Sequence, residues 1–181
     1  DKYPGGTDIC NKYHLNSAQL YNSTLDHNNK ENIDVIKFHI ARQYESYDLI
    51  VDYEKFELID LMSQVGMTDI MNIKDIFETG IILLSKIGSG PSDLKLAEYS
   101  LNYMSVLRIE ETPEVFFENK NHLKFLKEVR AQYSPEYSES SISHLLPLDM
   151  MILEMELIMN PNKKKQSLEQ MEQKLSLIRD N

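Results

Sequence analysis

The feature that most constrains this chain is the spacing of its apolar residues, which recur at intervals of three and four almost without interruption from Tyr13 onward. That is the period of an α-helix buried along one face. A buried strand needs apolar residues at every second position, and no long run of that kind occurs. Asn-Gly and Asp-Gly, the strongest hairpin signals, are absent as well. The pattern predicts an all-α protein of seven or eight helices joined by short breaks, arranged as stacked antiparallel pairs or as an irregular helical bundle.

The breaks are legible from turn chemistry. Pro4-Gly5-Gly6 forbids regular structure at the start and marks residues 1–12 as an irregular arm. Residues 13–181 then form a single helical domain, and the Ser-rich loop at 133–143 is where a sub-boundary would fall. A first helix is expected over 13–24. A second follows Asn32 as its cap, with Ile33, Ile36, Phe38, Ile40, Tyr44 and Tyr47 as its stripe. A third spans 52–65 and stops at Gly66, a left-handed C′ residue. A fourth covers 68–88, broken near Asn72 and resumed at Asp75, and closes at Gly88-Ser89-Gly90-Pro91. Ser92 caps the fifth, whose stripe is Leu94, Ala97, Leu101, Met104 and Leu107. Thr112-Pro113-Glu114 starts a sixth, with cap, proline at N1 and an acid near the positive end of the dipole. It is expected to bend near Asn119–Asn121. A seventh covers about 144–159, with Ser143 as its cap. The last covers about 163–179, with Leu168, Met171, Leu175 and Ile178 at seam positions.

Charge narrows the partners. The 181 residues carry 29 acids and 19 bases, a net charge of −10. A phosphate backbone needs a basic face, so nucleic acid is disfavoured. The acidity is uneven: residues 1–60 hold 11 acids and 6 bases, whereas residues 121–181 hold 9 and 8. The chain therefore has an acidic front and a nearly neutral back. A single cysteine builds no internal disulfide, so packing must supply stability. The longest aliphatic run, Ile81-Ile82-Leu83-Leu84, falls far short of the roughly 20 residues of a membrane span. The chain opens without methionine and reads as a processed, trimmed or recombinant fragment. Cytoplasm or nucleus is the default compartment, and a secreted or periplasmic one follows if a leader was removed.

Glu114, Glu118 and His122 share one face of an unbroken helix and are the best metal candidates. A helical di-iron centre takes Glu-x-x-His from two helices, and the chain contains none, so the three read as a solvated polar face. Cys10 and His14 are two ligand types and do not make a zinc site. Ser143, His144 and Asp149 are the residue types of a hydrolase triad without its nucleophile turn. No catalytic residue, metal or cofactor is assigned.

Two features point to another polypeptide as partner. Asp48, Asp52, Glu54, Glu57 and Asp60 concentrate acid in one segment. Like charges so close are mutually repulsive on a helix, and a basic partner would relieve them. Met150, Met151, Met155 and Met159 lie on more than one side of their helix. That helix is either buried all round or presents an adaptable Met face, and burial is the plainer reading. Asp48, Asp52, Glu54, Glu57, Met151 and Met155 are the expected partner-binding residues.

The stretch from Ile76 to Ala131 resembles armadillo- and HEAT-type helical repeats. Phe77-Glu78-Thr79-Gly80-Ile81-Ile82-Leu83-Leu84 is similar to the glycine-then-aliphatic helix that opens such a repeat. Leu96-Ala97-Glu98-Tyr99-Ser100-Leu101-Asn102-Tyr103-Met104 resembles the helix that follows, and Phe116 to Val129 resembles the next opening. The resemblance implies stacked antiparallel helix pairs and protein binding along a helical face. The expected function is thus a non-enzymatic interaction or scaffold module. The alternative is a small acidic inhibitor of the immunity-protein type that blocks a basic toxin or nuclease.

Overall fold

The computed structural model describes residues 6–26, 29–88 and 94–163, and beyond them residues 168, 169, 172, 173 and 176. Among the described residues there are eight α-helices and no β-strand, so the all-α expectation holds. The chain divides into two compact units, Asp1–Gly88 and Ser89–Asn181. The division falls at the Gly88 break, and the loop at 133–143 lies inside the second unit.

The first unit contains α1 (Gly6–Thr24), α2 (Lys30–Tyr44), α3 (Asp52–Gln64) and α4 (Ile73–Ile87). α1 pairs with α2 and α3 with α4, and α3 also touches α1 and α2. The core is aliphatic: Leu15 and Ala18 meet Ile36, Ile40, Leu58, Ile59 and Met62, all at 3% exposure or less. Helix α1 begins earlier than the expected Tyr13, because no glycine or proline after Gly6 interrupts it before Thr24. The cap of α2 is Asn29, whose extended backbone lets its side chain accept from Glu31 N at 2.9 Å. Asn32, the expected cap, sits inside the first turn and donates from Nδ2 to Asp26 O. Phe38 was expected in the buried stripe but is 53% exposed. The buried face of α2 runs through Ile36, His39, Ile40 and Gln43, a stripe on which Phe38 does not lie. Gly66 takes the left-handed φ of 61° after α3 and Gly88 the φ of 73° after α4, both as expected.

The second unit contains α5 (Lys95–Glu110), α6 (Pro113–Phe117), α7 (Lys120–Arg130) and α8 (Ile142–Met159). α8 packs against α5, α6 and α7, and α5 also meets α6 and α7. Tyr99, Phe116, Leu126 and Leu145 are among its fully buried side chains. The bend expected near Asn119–Asn121 is a complete stop. Asn119 is extended and caps α7, accepting from Asn121 N and His122 N, so α6 and α7 are separate helices. The cap position of α8 is Ser141 and not Ser143. The backbone N–H of Ser138 donates to the Ser141 hydroxyl at 2.8 Å, and that of Ser141 to the Ser138 hydroxyl at 3.1 Å, just before it. Pro147 lies within the first two turns of α8, where it withholds one helical N–H. Ser92 and most of the expected last helix lie outside the described residues. Those described there are helical, and Leu168 is 42% exposed.

Candidate functional site

The acidic segment folds as a short 3-10 turn, Tyr47–Leu49, followed by two extended residues and the start of α3. Ile50 is buried and ties the segment to the core, while Val51 is extended and holds the position before the helix. Asp52 and Glu54 thereby fall in the first turn of α3. Negative charge is favoured there by the aligned peptide dipoles, which offsets the mutual repulsion read from the spacing. Asp52 also stands 3.9 Å from Lys55, whose ammonium lies over the Tyr47 ring, 5.3 Å from its centroid. Tyr44 packs on the other ring contact of Tyr47 at 5.3 Å. Burial, then Tyr44, Asp52 and Asp48, push the Tyr47 phenol above its ordinary value. Glu57 accepts a hydrogen bond from Tyr53, which pushes that phenol up as well.

Sequence reasoning missed the apolar half of this surface. Leu49 is 69% exposed, Val51 64% and Tyr53 59%. The three lie at or beside the two extended residues between the 3-10 turn and α3, next in the chain to Asp48, Asp52 and Glu54. The signal was present: Leu49-Ile50-Val51 is an apolar run sitting outside both flanking helices, where no helical face can bury all of it.

The methionine expectation divides. Met155 is fully buried and belongs to the core of the second unit, so it does not offer a docking contact. Met151 is half-buried. Elsewhere on α8, Glu154 pairs with Arg108 and Glu156 with Lys127. Asp149 is 5% exposed and accepts from Arg130 Nε at 3.1 Å and from Tyr137 at 2.5 Å. The same guanidinium donates to the carbonyls of Ser134 and Pro135, which pins the Ser-rich loop. Asp149 is therefore the anchor of a buried ionic cluster. Ser143 bonds to Nδ1 of its own neighbour, His144.

The break between α6 and α7 also separates Glu114 and Glu118 from His122, because the face they were to share does not continue through Asn119. His122 instead stands 3.7 Å from Glu111. Among the described residues no three His, Cys, Asp or Glu side chains converge on a point that would hold a metal ion. No helix among them is long and apolar enough to cross a membrane.

Fold and surface together define an all-helical protein with a mixed acidic and apolar segment exposed on its first unit. Compared with protein-family models, curated proteins and solved structures, the chain matches none.

Proposed function

We propose that this chain is a non-enzymatic helical interaction module that binds a polypeptide through residues 48–57. The observation that carries the reading is the exposure of Leu49, Val51 and Tyr53 among Asp48, Asp52 and Glu54. Large apolar side chains cost free energy in water and gain it when covered. Ringed by acids, they suit a segment that alternates basic and apolar residues. The segment lies in the chain between the paired helices α1–α2 and α3–α4, and packed helix pairs suit a role in holding out a segment for protein binding. Partner capture from the native source tests the reading, with wild type set beside the Leu49→Ser/Val51→Ser variant and the Asp52→Lys/Glu54→Lys variant. Each variant should lose most of the capture while keeping its melting temperature. Equal capture by all three proteins would defeat the proposal.

The acidic-inhibitor reading draws on the same acids and on the net charge of −10. It predicts that charge reversal alone abolishes binding and that affinity collapses with salt, because steering by exposed charge is screened within about 10 Å at 0.1 M. The interaction-module reading predicts that the apolar variant is the more damaging and that binding survives moderate salt.

A further inference from the structure

A second chemical feature of the first unit is independent of the 48–57 segment. Helices α1 and α2 bring His14 and His39 together with their Nδ1 atoms 2.9 Å apart. His39 is buried and His14 half-buried. The ring centroids are 5.2 Å apart, about as far as that nitrogen contact permits, so the rings meet end-on. Their lone pairs then point along one line. A zinc ion needs about 2.0–2.1 Å to each imidazole nitrogen, and an in-line gap of 2.9 Å has no room for it. The gap suits a proton. One ring, in its Nδ1–H tautomer, donates, and the other, with Nδ1 bare, accepts.

We propose that His14 and His39 form an acid-sensitive latch between α1 and α2, closed by one proton held between two Nδ1 atoms and opened when both atoms are protonated. The neutral pair carries one ring proton on each imidazole. A first added proton can settle on the far nitrogen of the donor ring and leave the contact intact. A second must enter the gap itself, where two N–H groups and two positive charges collide.

Among the described residues no carboxylate is set against His39 to balance that second charge. Tyr13 and Tyr21 of α1 and Phe38 of α2 ring His39 with centroids at 6.1, 5.4 and 5.3 Å. Arg42 of α2 lies over Phe38 and pairs with Glu45. On α3, Asp60 accepts from Gln64, which in turn accepts from Asn22 of α1. Burial first, and His14 second, hold His39 below the usual imidazole value of 6.5. His39 is thus neutral when packed and takes up a proton once released. The latch is at full strength above about pH 6.5 and weakens as the pH falls below it, by up to about tenfold in the opening equilibrium per pH unit for one proton.

Amide hydrogen exchange of the full chain, corrected for its intrinsic pH dependence, reads the latch directly. Between about pH 7.5 and about pH 5.5, opening of α1 and α2 should rise several-fold, up to about tenfold, while the α5–α8 amides do not follow. His39→Phe should make exchange in α1 and α2 independent of pH over this range. The same rise in the variant, or in both units of wild type, would overturn the latch. Should the variant fail to fold, the ring nitrogens of wild-type protein decide by NMR at neutral pH. One of the two histidines must be the Nδ1–H tautomer, and finding Nε2–H on both refutes the proposal.

Discussion

Among the described residues of the first unit the buried imidazole is His39, and its hydrogen-bond partner is a second imidazole. Among those of the second unit the buried carboxylate is Asp149, and the partners are Arg130 and Tyr137. Both contacts join different helices or a helix and a loop, and both sit among aromatic rings. They differ in what happens when the proton count changes. A neutral pair with one shared proton is undone by acid. A carboxylate already matched by a guanidinium and a phenol loses most if one member is deleted. The comparison teaches that two helical units of similar size can bury polar groups by opposite electrostatic strategies.

The sharpest way to break the second unit is Asp149→Ala. It strands the Arg130 guanidinium, and loss of one member of a buried pair costs about 3–5 kcal/mol. Denaturant melts followed by exchange protection should show that loss in α5–α8 and leave α1–α4 unchanged. Met155→Ala should cost about 2–5 kcal/mol, since it empties a wholly buried site. Met151→Ala, at a half-buried site, should cost clearly less in the same assay.

The opposed pH responses can be read in one titration. Burial, followed by the Asp149 hydrogen bond, raises the Tyr137 phenol well above 10. A raised folded value means stability present below about pH 10 and lost as the pH climbs beyond it. Alkali should therefore loosen the 133–137 loop, whereas acid loosens α1–α2. Smaller effects refine the picture. Asn72→Ala removes the bond accepted from Asp75 N and should cost the first unit about 1 kcal/mol by thermal melt. Asp52→Lys should change stability by no more than about 0.5 kcal/mol, and its effect should appear in binding instead.

Much of the fold was legible because helix signals are local. Gly66, Gly88 and the Thr112-Pro113 start all act where their chemistry predicts, whereas the fourth helix begins at Ile73 behind the cap Asn72 and not at residue 68. Boundaries failed where two candidate caps competed, as with Asn29 and Asn32 or Ser141 and Ser143. Local chemistry allows either, and packing chooses. The candidate site was half legible. Its acids show in the composition, but the exposure of Leu49, Val51 and Tyr53 depends on Ile50 alone of that run being drawn into the core. Phe38 erred the other way, since a side chain of core type stands in solvent on the outer side of α2.

The helical period and the helix stops at Gly66 and Gly88 follow from the residues by themselves. Each rests on neighbours within about four positions, so the order of amino acids contains the whole cause. Which faces are buried, and which polar atoms meet, was decided by tertiary structure. His14 and His39 are 25 positions apart and Arg130 and Asp149 are 19 apart. Nothing local draws such residues together. Their chemistry exists only because helices packed side by side hold them at hydrogen-bond distance and keep water away from His39 and Asp149.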